Sequence, residues 1–115
     1  MRTHKDLEIW QKGIELVEKI YKLTSIFPKE EIYGIISQMK RSVISYPSNI
    51  AEGAARFSRK EFIQFMYIAL GTLSELETQI IISLRLGYHN DQHILDEIEI
   101  LRKMTLNFIK YLKTK

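Results

Sequence analysis

The stretch QMKRSVISYPSNIAEGAAR, residues 38–56, decides the fold. Met39, Val43, Tyr46 and Ile50, with Ile32 and Ile36 ahead of them, recur at steps of four and three. That spacing lines residues up on one face of an α-helix. One position round, Gln38, Arg41 with Ser42, Ser45, Asn49, Glu52 and Arg56 keep the same spacing. The outer face of a helix on a small monomer ordinarily carries interchangeable lysines and glutamates. Short hydrogen-bonding side chains in their place mark a face meant for contact. Pro47 sits in the middle of the stretch. Inside a helix it has no amide to donate and clashes with the carbonyl of Val43, a cost of about 3 kcal/mol. A break there would make Tyr46 an N-cap, which tyrosine serves poorly, and the apolar stripe runs on in register from Val43 to Ile50. The stretch therefore reads as one continuous, kinked helix. Ser48, Asn49 or a neighbouring helix is expected to supply donors to the carbonyls of Val43 and Ile44.

The same period extends outward in both directions. Leu7, Trp10, Ile14, Val17, Tyr21 and Thr24 form one stripe of a first helix, and Gly13, Leu16, Ile20, Leu23 and Phe27 a second. Pro28 is expected to end that helix, with Lys29, Glu30 and Glu31 opening the next, acids at its positive end. Ser58 and Glu61 form a capping-box pattern that starts a third helix bearing Phe62, Phe65, Met66, Ala69, Leu73, Leu76, Ile80 and Leu84. Gly87 fits the position after its end. Asn90 or Asp91 caps a fourth, whose face is Ile94, Ile98, Leu101, Thr105, Phe108 and Leu112. Three of the four read as roughly 24 to 30 residues, about 36 to 45 Å long. Long helices and short turns predict an all-α, antiparallel up-down-up-down four-helix bundle with a Pro-kinked second helix, one domain over residues 1–115. Ile9, Ile26, Ile44, Ile63, Ile81, Ile82, Leu86 and Ile100 fall outside the main stripes, a surplus that predicts a homo-oligomer.

Composition narrows the chemistry. The chain of 115 residues has no cysteine, hence no disulfide, thiol nucleophile or thiolate metal site. No apolar run approaches the ~20 residues of a membrane span, and Arg2, His4, Lys5, Asp6 and Glu8 interrupt any leader pattern. A soluble, cytoplasmic protein with no membrane partner is expected. Net charge is +3, from 17 basic and 14 acidic residues. The excess is mild but segregated. Lys40, Arg41, Arg56, Arg59 and Lys60 face one acid, Glu52, and Arg102, Lys103, Lys110, Lys113 and Lys115 close the chain with none.

Glu30, Tyr33, Gly34, Ser37 and Gln38, then Ser45, Pro47, Ser48, Asn49, Ile50, Ala51, Glu52, Gly53 and Arg56, resemble a bacterial family of four-helix bundles encoded in intervening sequences of 23S ribosomal RNA genes. The likeness continues through Ser58, Glu61 and Phe62, through Ala69, Gly71, Leu73, Glu75, Leu76, Glu77 and Gln79, and through Leu86, Gly87 and Tyr88. Leu7, Glu8, Ile9 and Trp10 fit as well. Lys40, Ser42 and Ala55 depart from the family's usual residues. The resemblance implies an up-down bundle assembling as a homopentamer. It also implies kinship with the accessory protein of diversity-generating retroelements, which binds nucleic acid and a reverse transcriptase. Family members are not known as enzymes.

No catalytic constellation, cofactor site or metal site is expected. Glu75 and Glu77 point about 200° apart round a helix, the serines lack a histidine base, and His89 and His93 read as solvated residues of a turn. Glu75 reads as a partner of Arg41 or Arg56, with Gly71 and Ser74 letting the second and third helices approach closely. The ridge of Gln38, Ser45, Asn49, Glu52 and Arg56, with Glu75, is either a ligand surface or a polar network locking helices or subunits together. The basic set points to RNA or DNA held by phosphate contacts. Arg56, Arg59 and Lys60 come first, then Lys40, Arg41, Arg102 and Lys103. Phe57 either stacks a base or packs on Phe62 as a hydrophobic staple. A protein-interaction scaffold with a protein partner and no nucleic-acid role is the competing class.

Overall fold

The computed structural model describes residues 3–115, so Arg2 lies outside it. Four helices account for most of the chain: α1 (Glu8–Thr24), α2 (Ile35–Ala54), α3 (Arg59–Arg85) and α4 (His93–Lys113). No strand occurs among the described residues. Short 3₁₀ turns at His4–Asp6 and Lys29–Glu31 precede α1 and α2. The molecule measures 46 × 23 × 19 Å, and one apolar core draws on all four helices.

The stripes read from spacing on α2, α3 and α4 are largely buried, whereas on α1 the second stripe, with Leu16 and Ile20, is buried and Ile14 and Tyr21 of the first are exposed. Met39, Val43, Tyr46 and Ile50 on α2 and Met66, Ala69, Leu73, Leu76 and Ile80 on α3 are wholly inaccessible. Burying each leucine or isoleucine stabilises the fold by about 1.5–3 kcal/mol. Ile9 and Ile109 join this core, although spacing placed the first outside it and omitted the second. Ile32 is exposed, because α2 begins only at Ile35. Contacts between α2 and α3 run in opposite sequence directions. Ser42 meets Glu75, while Gly53 lies against Phe62 and Phe65.

Helix α2 runs unbroken across Pro47, as the register of its apolar stripe requires. The proline ring is buried against α1, where Gly13 leaves room: a methyl group there would lie 2.8 Å from the Tyr46 ring and 3.4 Å from Pro47 Cβ. The expected donor to Val43 or Ile44 takes another course. Asn49 reaches back one turn, and its Nδ2 donates to Ser45 O at 2.8 Å. A side chain that folds toward the N-terminus meets the carbonyl four residues earlier, not the one freed by the proline.

Two helix ends fall short of expectation. α1 stops at Thr24 instead of Pro28, and Lys29–Glu31 forms a 3₁₀ turn instead of the first turn of α2. The helices therefore span 17, 20, 27 and 21 residues, and only α3 reaches the expected length. Other ends keep to their signals. Gly87 adopts φ +81°, its amide bonds Leu84 O and the Tyr88 amide bonds Ser83 O, a full Schellman closure. Ser58 Oγ accepts from the Glu61 amide at 3.2 Å, one half of the capping box, while both halves form at Thr3 and Asp6. Asp91 Oδ1 accepts the Ile94 amide at 3.3 Å and so caps α4.

Candidate nucleic-acid interface

The α2–α3 turn sets Arg56, Phe57, Ser58, Arg59 and Lys60 at one end of the bundle. Each side chain from Arg56 to Lys60 is exposed. The turn is held from below by Gly53, where a methyl group would lie 2.8 Å from Phe65 Cβ and 2.9 Å from Phe62 Cδ1. Only glycine lets α2 sit that close to the aromatic start of α3. Arg56 lies over the Phe65 ring at 5.0 Å and pairs with Glu52, four residues earlier, at 3.6 Å. Arg59 Nη1 donates to Leu112 O at 3.5 Å, which brings the C-terminus of α4 beside the turn. Lys60 has no partner among the described residues.

That neighbourhood adds cations which the choice of first candidates passed over. Lys113 Nζ donates to the Tyr67 hydroxyl at 2.7 Å and lies over its ring, and Lys115 lies over Tyr111 at 5.1 Å. The acid-free run from Arg102 to Lys115 was the available signal, but nothing local revealed that it ends beside Arg59. Below the lysines an apolar groove of about 540 Å³ is lined by Leu7, Phe62, Phe108, Tyr111, Leu112 and Lys115.

The other expected cations do not gather here. Lys40 and Arg41 stand about 22 Å down α2 by its rise per residue. Lys40 covers the Tyr21 ring at 4.5 Å, whereas Arg41 is exposed and unpartnered. Arg102 is held by Glu99 through two hydrogen bonds, one of 3.0 Å from its Nε. Those bonds keep the Glu99 carboxyl below its ordinary pKa and the guanidinium above its own. Lys103 is exposed next to that pair. The tip is thus Arg56, Arg59 and Lys60, joined by Lys113 and Lys115.

The polar ridge divides into separate contacts. Asn49 bonds Ser45 O within α2, Glu52 near its end pairs with Arg56 of the following turn, and Gln38 is exposed. Glu75 accepts from Ser42 Oγ at 3.0 Å, so its partner is neither Arg41 nor Arg56. At Gly71 an added methyl group would meet nothing within 4 Å, so the closely packed glycine of this pair is Gly53 instead. The polar bond that does cross the core joins Tyr46 and Thr105 at 2.7 Å. Thr105 gives its one hydrogen to Leu101 O, so Tyr46 is the donor.

His89 is buried, contrary to the solvated role expected of it. Its ring stacks on Phe27 at 5.8 Å, and Nδ1 accepts the Asp91 amide at 3.0 Å. Nε2 lies 3.2 Å from Ile80 O and 3.1 Å from Ser83 Oγ. A bare Nδ1 puts the proton on Nε2, and the ring staples the end of α3 to the following turn. His93 is exposed, 3.4 Å from Glu97. No group of three metal-ligating side chains occurs among the described residues, and no helix there is long and apolar enough to cross a membrane.

The fold is that of an all-α four-helix bundle. Residues 5–107 match the family described as 23S rRNA-intervening sequence protein, and the chain belongs to that family. A comparison with curated proteins gave no match.

Proposed function

We propose that this chain is a non-enzymatic, oligomeric, cytoplasmic bundle that binds RNA or DNA through phosphate contacts at the tip of Arg56, Arg59 and Lys60. The convergence of these residues with Lys113 and Lys115 carries the reading. Each cation contributes modestly and is screened by salt, so binding needs several on one surface. Assembly as a homopentamer, which the family resemblance implies, would present five such tips and raise avidity without new contacts. The exposed Ile26, Ile44, Ile81, Ile82, Leu86 and Ile100 support the oligomer, since that much apolar surface is costly on a monomer.

Retardation of a labelled RNA should weaken steeply with salt. Arg56→Glu, Arg59→Glu and Lys60→Glu together should weaken it strongly and flatten the salt dependence by about three phosphate contacts. Light scattering should give several times the monomer mass. The same exposed isoleucines favour a second reading, a scaffold for a protein partner. Failure to retard RNA at low salt would leave that reading standing and remove the first.

A further inference from the structure

Resting on the nucleic-acid reading above, the geometry points to Phe57 as a stacking platform for an unpaired base, so that the tip takes single-stranded nucleic acid in preference to duplex. Phe57 is fully exposed, at 108 %. It precedes the N-cap Ser58, the position from which a hydrophobic staple would reach Phe62. The staple is not made, because Phe62 is buried against the Phe108 ring at 5.5 Å. No ring or cation covers either face of Phe57 among the described residues.

The other exposed rings differ in a way that isolates this one. Lys40 covers Tyr21, Lys113 covers Tyr67, and Lys115 covers Tyr111. Tyr33, 97 % exposed, is as open as Phe57 but follows Glu30 and Glu31, whose charge repels phosphate. Phe57 alone among the described residues joins an open ring to flanking cations, with Arg56 on one side and Arg59 and Lys60 on the other. Glu52 offsets part of the Arg56 charge, while Lys60 is unpaired. Cations that track a backbone beside an aromatic face are the two elements of single-strand binding, and stacking tolerates any base because every base has a π-face. A duplex offers phosphates but hides those faces inside its stack, and a phenylalanine has no hydrogen bond to give its grooves.

Fluorescence anisotropy with a labelled unstructured oligouridine and a duplex RNA of equal length tests this on the full chain. Phe57→Ala should weaken the single strand by about tenfold and the duplex by less than about twofold, with the salt dependence unchanged because no charge is lost. Phe57→Trp should restore single-strand affinity, whereas Phe57→Leu, apolar but without a π-face, should not. Tyr33→Ala should change neither. Equal losses on both probes, no loss, or full rescue by Phe57→Leu would each overturn the stacking role while salt-dependent binding by the unaltered chain kept the parent reading intact. Absence of binding by the unaltered chain would overturn both, and Phe57 would then belong to a protein contact.

Discussion

The end of the bundle that carries Tyr33 leaves that ring open but ties Tyr88, His89 and Glu31 into the fold, while the end that carries Phe57 leaves its ring and cations outward. At the Tyr33 end the Tyr88 hydroxyl donates to Glu31 at 2.7 Å, which holds the phenol above its ordinary pKa. Phe27 stacks His89 and tilts against Tyr88 at 5.4 Å, and the Schellman closure at Gly87 fixes the turn. At the Phe57 end only one polar bond among the described residues, from Arg59 to Leu112 O, joins the turn to another helix. The two turns partner similar residue types differently. Rings and polar groups with partners close the bundle; on the proposed function, Phe57 and Lys60, which have none among the described residues, are free for a ligand.

The largest expected effect breaks this comparison if it spreads beyond one end. Reversing Arg56, Arg59 and Lys60 should lower RNA affinity by more than about a hundredfold at low salt. Thermal stability should move little, because each residue is exposed and surface changes usually lie within about 0.5 kcal/mol. Glu30→Gln at the opposite end should leave affinity as it was. A triple variant that unfolds would mean the tip is structural after all.

His89→Ala comes next and asks the converse question. It removes a stacked, buried ring and strands the Asp91 amide, for a cost of about 2–3 kcal/mol. The melting midpoint should fall by roughly 10 °C, with RNA affinity of the folded protein unchanged. An equal loss of affinity would show that the two ends are coupled through α3.

Gly53→Ala should cost about 1–3 kcal/mol, since the methyl group meets Phe62 and Phe65 inside contact distance. Gly71→Ala should stabilise by up to about 1 kcal/mol, because the site is open and alanine is the better helix former. Urea unfolding of both variants gives the sign. Because Gly53 seats the tip on α3, a loss of RNA affinity by Gly53→Ala without unfolding would sharpen the view that the turn is held in one geometry.

What could be read from the sequence follows from how local each signal is. Helical period, Gly87 as a positive-φ closure and Ser58 as a cap depend on residues within one or two turns, and all three hold. Pro47 is legible for the same reason, since the stripe from Val43 to Ile50 keeps register across it. The 3₁₀ turn at Lys29–Glu31 escaped because its acids suit either helix type. His89 was misjudged because its burial depends on Phe27, far away in sequence. Choosing Gly53 over Gly71 as the close contact, or Ser42 as Glu75's partner, needs the rotation of α2 against α3, which spacing does not carry. The tip was half legible: Arg56 to Lys60 are contiguous, but the lysines of α4 reach them only in space.

Tyr46, midway between the ends, gives the smallest effect and a baseline belonging to neither. Burial pushes its hydroxyl well above the ordinary 10.0. The hydrogen bond with Thr105 works the other way, since that hydroxyl can turn its hydrogen to the phenolate, but burial is the larger effect. The folded state thus binds this proton more tightly than the unfolded state does. The resulting stabilisation is complete below pH 10 and is lost as the unfolded chain ionises above it, by about 1.4 kcal/mol for one pH unit. Tyr46→Phe should cost about 1 kcal/mol near neutrality through the missing hydrogen bond and lose less stability between about pH 10 and pH 11. Parallel unfolding curves for the two proteins across that interval would mean the hydroxyl ionises without leaving the core. RNA affinity of Tyr46→Phe at neutral pH should match that of the unaltered chain, because the buried bond lies far from the free cations of the α2–α3 turn.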